Sequence, residues 1–167
     1  MSSRGRDGLR RVILGVVACF TVLGPMNFAR AEDRPREAEI VVIRPVSGTT
    51  SKQGLPLFVG ISGQNAGSKA ISMNKVVIPP GASARAHRHT GYETVIYLLK
   101  GLVKTLYGEG LRKSVINEAG DFIYIPADLP HKPINLSDTD TAEAIVARTD
   151  PNEQESVEHV AEPELRN

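Results

Sequence analysis

From residue 71 onward, turn-forming residues interrupt the chain about every ten positions. Pro79-Pro80-Gly81, Gly101, Gly108-Glu109-Gly110, Ala119-Gly120 and Pro126 are the breaks. The runs between them are short and rich in β-branched and aromatic residues: Ile71 to Ile78, His87 to Lys100, Leu102 to Tyr107, Lys113 to Asn117, Phe122 to Ile125, Ile134 to Leu136 and Ala142 to Arg148. No run keeps a helical period long enough for a bundle. Glu39 to Arg44 (EIVVIR) adds a further strand, and residues 46–69 read as loops with short strands. About eight short strands at this spacing predict an all-β, antiparallel barrel or jelly roll. A chain of 167 residues has room for one such domain and a real core.

The first 31 residues follow different rules. Arg4, Arg6, Arg10 and Arg11 precede an apolar run from Val12 to Leu23, and Ala29-Arg30-Ala31 is a small-x-small pattern. That order is the layout of a secretory signal peptide. The run is short for a membrane span, so no stable insertion is expected after cleavage; an uncleaved anchor is the alternative. Arg10-Arg11 fits a twin-arginine signal as well as an ordinary basic n-region. The predicted location is periplasmic or secreted. Removing residues 1–31 takes five of 20 Lys+Arg and one of 19 Asp+Glu, leaving a net charge of −3. No basic patch remains for nucleic acid. Cys19, the single cysteine, leaves with that segment, so any metal must be held by nitrogen and oxygen. Residues 32–38 read as a flexible leader, 39–149 as the barrel and 150–167 as an acidic tail, or an edge strand followed by one.

Three of the four histidines lie in a patterned region. His87 and His89 are two apart and share a strand face. Glu93 has the same parity if the strand continues past Thr90-Gly91. His131 follows a tight turn set by Pro126 and Pro130, where an antiparallel barrel can bring it back beside the pair. Imidazoles with one carboxylate suit Mn, Fe, Co, Ni or Zn. By spacing alone, a pair of exposed strand histidines remains an alternative to a metal site.

The order of these residues resembles the two motifs of the cupin superfamily. The first is Gly, five residues, His-x-His, three or four residues, Glu, six residues, Gly; Gly81, His87, His89 and Glu93 follow it, and Gly101 falls one residue late. The second is Gly, five residues, Pro-x-Gly, two residues, His, three residues, Asn; Gly120, Pro126, His131 and Asn135 fall in place, with Asp128 at the motif glycine. Asp tolerates left-handed backbone better than most residues. The resemblance implies a small jelly-roll barrel, His87, His89, Glu93 and His131 as ligands of one divalent transition metal, and a homodimer. Asn135 would hold backbone groups at the end of the second motif.

Parity with Glu93 sends Val95, Tyr97 and Leu99 inward, so Tyr97 could reach a ligand or simply fill the barrel. Arg85 shares the parity of the histidines and Arg88 does not, which favours Arg85 for an anionic ligand. Asp121 and Asp128 are explained by turns as readily as by catalysis, leaving no assigned catalytic acid or base. His159 reads as a solvated histidine. Two functions fit: a metal-dependent enzyme acting on a small, oxygen-rich molecule (oxygenation, decarboxylation, isomerisation or lyase chemistry) and a binding protein without turnover. A ligand-sensing regulator is disfavoured, since no DNA-binding segment is legible.

Overall fold

The computed structural model describes residues 38–152, 154 and 156–162, so the predicted signal segment lies outside the described residues. Eleven strands occur among the described residues. They are β1 (Thr49–Thr50), β2 (Pro56–Ile61), β3 (Ser72–Ile78), β4 (His87–His89), β5 (Thr94–Lys100), β6 (Leu102–Tyr107), β7 (Lys113–Glu118), β8 (Phe122–Ile125), β9 (His131–Asn135), β10 (Ala142–Arg148) and β11 (Val157–His159). A four-residue helix, α1 (Gly63–Ala66), is closed by a capping box between Ser62 and Asn65.

All pairings are antiparallel and make two sheets. One has the order β1-β2-β3-β10-β5-β8 and the other β11-β4-β9-β6-β7. This is the predicted all-β jelly roll. The core lies between the sheets, where Leu55, Ile78, Leu98, Val103, Ala142 and Ala144 are buried together. The β5–β6 corner needs its glycine: Gly101 has φ +97, and a Cβ there would sit 2.7 Å from the Cβ of Ala142.

Two local expectations are corrected. Glu39 to Arg44 forms no strand; no described strand pairs with it, and Ile40 is 94% exposed. The run from His87 to Lys100 is two strands, with Thr90-Gly91 turning the chain from the second sheet into the first. Gly91 takes φ +76 there. Within residues 150–167 the edge-strand alternative is the one found: β11 pairs residue by residue with β4, Val157 opposite His89, Glu158 opposite Arg88 and His159 opposite His87.

Candidate metal centre

β4 and β9 are neighbours, and His87 pairs directly with His131. The alternation along β4 turns His87 and His89 to one face and Arg88 to the other, where its guanidinium holds Glu158 of β11 at 2.9 Å. The three imidazoles are buried. Their centroids are 4.2 to 5.1 Å apart, and one ring nitrogen from each lies within 4.8 Å of the others.

Hydrogen bonds set the tautomers. His87 Nδ1 is 2.8 Å from the Arg85 carbonyl, and His131 Nδ1 is 2.9 Å from that of Leu129. A carbonyl only accepts, so each Nδ1 carries the hydrogen and each Nε2 keeps its lone pair. His89 Nδ1 lies 2.5 Å from Oγ1 of Thr94, and His89 Nε2 is buried with no protein partner. Burial holds all three rings neutral: His87 is lowered to about 3 by burial and then by His131. His89 is lowered further by burial and then by Arg148. His131 is lowered mainly by burial. Neutral, converging imidazoles with an orphaned buried Nε2 are the donor set a divalent transition metal needs, so the residues fit the group.

Glu93 is not brought to the histidines. It is exposed, and its Oε1 accepts a hydrogen bond from Tyr124 Oη at 2.5 Å, which raises the Tyr124 pKa. Parity fails because the Thr90-Gly91 turn separates β4 from β5, and a one-residue offset reverses every later side chain. Thr94, Ile96 and Leu98 therefore turn inward, while Val95, Tyr97 and Leu99 lie on the exposed face. Tyr97 packs at a tilt against Phe122 with centroids 4.7 Å apart, outside the barrel. The late Gly101 was the available signal. Counting six residues back from it lands on Thr94, with four residues between His89 and that position. Thr94 thus occupies the place of the motif glutamate, and its hydroxyl supports His89.

Arg85 is also corrected. It is exposed and precedes β4, so strand parity does not reach it. The arginine on the cavity is Arg148, at the end of β10, whose Nε lies 3.4 Å from Thr94 Oγ1. The sequence reading missed Arg148, Thr94 and Gln53, which also lines the cavity. The inward parity of β10 could have pointed to Arg148, since Ala142, Ala144 and Arg148 are all buried. Asn135 Nδ2 donates to the carbonyls of Ile78, Pro79 and Asp140, and Asp128 adopts φ 62. His159 Nε2 is 2.9 Å from the Lys52 carbonyl.

The cavity has a volume of about 80 Å³. Aliphatic side chains make up about half of its lining, including Leu55, Leu57, Val76, Ile123 and Val146. No carboxylate, thiol or phenol lines it among the described residues.

Residues 74–148 match the family described as the Cupin domain. The two-sheet fold and the motif histidines agree with that match, so residues 74–148 carry a cupin domain. No curated protein matches the sequence. Among solved structures it resembles the oxalate decarboxylase of Lactobacillus farciminis in a formate complex, with 20% identity and a TM-score of 0.58 over 68% of this chain and 33% of that one. It resembles the polyketide cyclase RemF of Streptomyces resistomycificus with 19% identity and a TM-score of 0.59, over 75% of this chain and 89% of that one. A third likeness is to the oxalate decarboxylase of Bacillus subtilis, described for its Mn(II) centres, with 18% identity and a TM-score of 0.56 over 71% of this chain and 30% of that one. The chain spans about a third of the length of the two decarboxylases. At these identities the likeness is one of fold.

Proposed function

We propose that this is an exported cupin whose His87, His89 and His131 hold one divalent transition metal (Mn, Fe, Co, Ni or Zn), and that it is a metal-dependent enzyme acting on a small, oxygen-rich molecule. The observation that carries the reading is the convergence of three neutral, buried imidazoles, each with Nδ1 held by a second group. A bound ion would supply Lewis acidity toward a ligand oxygen. Of the chain's own residues, Arg85 and Leu129 carbonyls and the Thr94 hydroxyl orient the rings. The aliphatic lining keeps bulk water out, and Arg148 adds positive charge at the cavity wall.

A second reading, capture without turnover, has one observation in its favour: the described lining offers no carboxylate, thiol or phenol as acid or base. The deciding experiment is plasma mass spectrometry of protein purified from its native source, beside His87→Ala/His89→Ala, followed by a turnover screen of the loaded protein. Stoichiometric metal lost in the variant supports the centre, and turnover favours the enzyme. Absence of metal from both proteins would sink the reading.

Export rests on the layout of residues 1–31. The intact mass of the native protein should begin near Glu32, and Arg10→Lys with Arg11→Lys should block export if the twin-arginine route is used. Self-association as a homodimer is supported by the exposed apolar face of the six-stranded sheet.

A further inference from the structure

We infer that Gln53 is the specificity residue of the histidine cavity, and that the ligand is a small carboxylate bearing a hydroxyl or other hydrogen-bond donor on the adjacent carbon. The inference rests on the metal reading above and adds to it a residue that no motif contains.

Gln53 sits in a turn built to hold it still. Ser51 N donates to the Leu55 carbonyl at 2.8 Å, Gly54 N to the Ser51 carbonyl at 2.9 Å, and Leu55 N to Ser51 Oγ at 3.1 Å. The Gln53 carbonyl in turn accepts from Arg85 N at 2.9 Å, two residues before His87. Gly54 completes the turn with φ +87, which a side chain would resist. The turn is therefore pinned both to itself and to the segment that leads into β4.

The side chain is only 8% exposed and lines the same cavity as the three histidines, Thr94 and Arg148. Its Oε1 is buried and has no partner among the protein atoms. Buried acceptors in folded proteins are nearly always satisfied, and a ligand donor would satisfy this one. A site that hydrogen-bonds a hydroxyl rejects the analogue lacking it far more strongly than an apolar pocket rejects a methylene.

Charge and size narrow the rest. Imidazole binds a metal as a neutral donor, so three of them would leave the charge of a divalent ion uncompensated. The carboxylate that the family motif would place among the ligands is a threonine here. An anionic oxygen on the ligand fills that role. The volume of about 80 Å³ is close to half the 150 Å³ of an engineered cavity that binds benzene, so the ligand is smaller than that six-carbon ring.

The test is isothermal titration of Mn(II)-loaded and metal-free protein with glycolate, acetate and ethane-1,2-diol, for the wild type, Gln53→Leu and Gln53→Met. In the loaded wild type, glycolate should bind at least about tenfold more tightly than acetate, and the neutral diol should give no heat at the same concentrations. Both variants should bring the glycolate-to-acetate ratio to about one while leaving metal content and acetate affinity unchanged. Equal binding of glycolate and acetate by the loaded wild type, a diol that competes with glycolate, or an unchanged ratio in both variants would overturn the inference. A protein that takes up none of Mn(II), Fe(II), Co(II), Ni(II) and Zn(II) yet keeps the Gln53-dependent preference would overturn the metal reading alone.

Discussion

The two faces of the six-stranded sheet are both apolar, yet they do different work. The inner face of β5 presents Thr94, Ile96 and Leu98 to the cavity and core. Its outer face presents Val95, Tyr97 and Leu99, with Phe122 87% exposed and Tyr124 57% exposed on neighbouring β8. Alternating strands of a sheet with one wet face carry polar residues outward. Around β5 and β8 this sheet carries apolar ones instead, and exposed contiguous apolar surface marks an interaction site. In the proposed reading the metal lies inside, and the outer face is where a second copy would bind. The placement of Glu93 on the outer side, bonded to Tyr124, shows how completely one turn separates the two.

The largest expected effect tests the inner face. His87→Ala or His131→Ala should reduce bound metal from about one per chain to near zero in plasma mass spectrometry. Glu93→Gln, on the other side of the sheet, should leave metal content unchanged. If Glu93→Gln also emptied the site, the inside–outside distinction would be wrong.

Acid should act on the inner face next. The neutral histidines have folded pKa values below the ordinary 6.5, with His87 at about 3. The unfolded chain therefore binds more protons between pH 6.5 and about 3. Stability from these groups is full above pH 6.5 and falls as pH drops, by about 1.4 kcal/mol per pH unit for each histidine still neutral in the fold. Thermal unfolding of metal-free protein from pH 7.5 to 4.5 checks this; a melting temperature that rose on acidification would refute it.

Thr94→Val keeps the shape and removes the hydroxyl beside His89 Nδ1. Metal affinity should fall by about tenfold, the low end for losing a group that orients a ligand, while Thr94→Ser retains most of it. Competition with a chelator of known affinity measures the difference. Phe122→Lys tests the outer face. It should shift native mass from dimer toward monomer in light scattering, with metal content untouched. A wild type that is monomeric at high concentration would remove self-association from the account.

Much of the fold was legible because turn residues act locally. Phe122–Ile125 and Ala142–Arg148 appear as strands at the bounds their flanking Gly, Pro and Asp residues imply. Glu39 to Arg44 has the composition of a strand but no described partner, and composition cannot supply hydrogen bonds. At the centre, the two-residue spacing of His87 and His89 placed both on one face, while Glu93, Tyr97 and Arg85 were misplaced. Each of those three depended on carrying strand parity through a bend or turn, where it no longer holds. Gln53 and Arg148 lie far from the motifs in sequence and were invisible to them.

What the sequence by itself determined is local: where strands break, which histidines share a strand, and that a jelly roll can bring the Pro126 turn back beside them. Only the tertiary structure decided which side of β5 faces inward, because the chain changes sheets at Thr90-Gly91 and side-chain direction is then set by pairing with β10 and β8. That decision turned a carboxylate outward, put a threonine hydroxyl against His89, and closed the cavity with an arginine and a glutamine from distant strands and turns. The physical reason is that strand alternation is a local rule, whereas the join between two sheets is fixed by long-range hydrogen bonding.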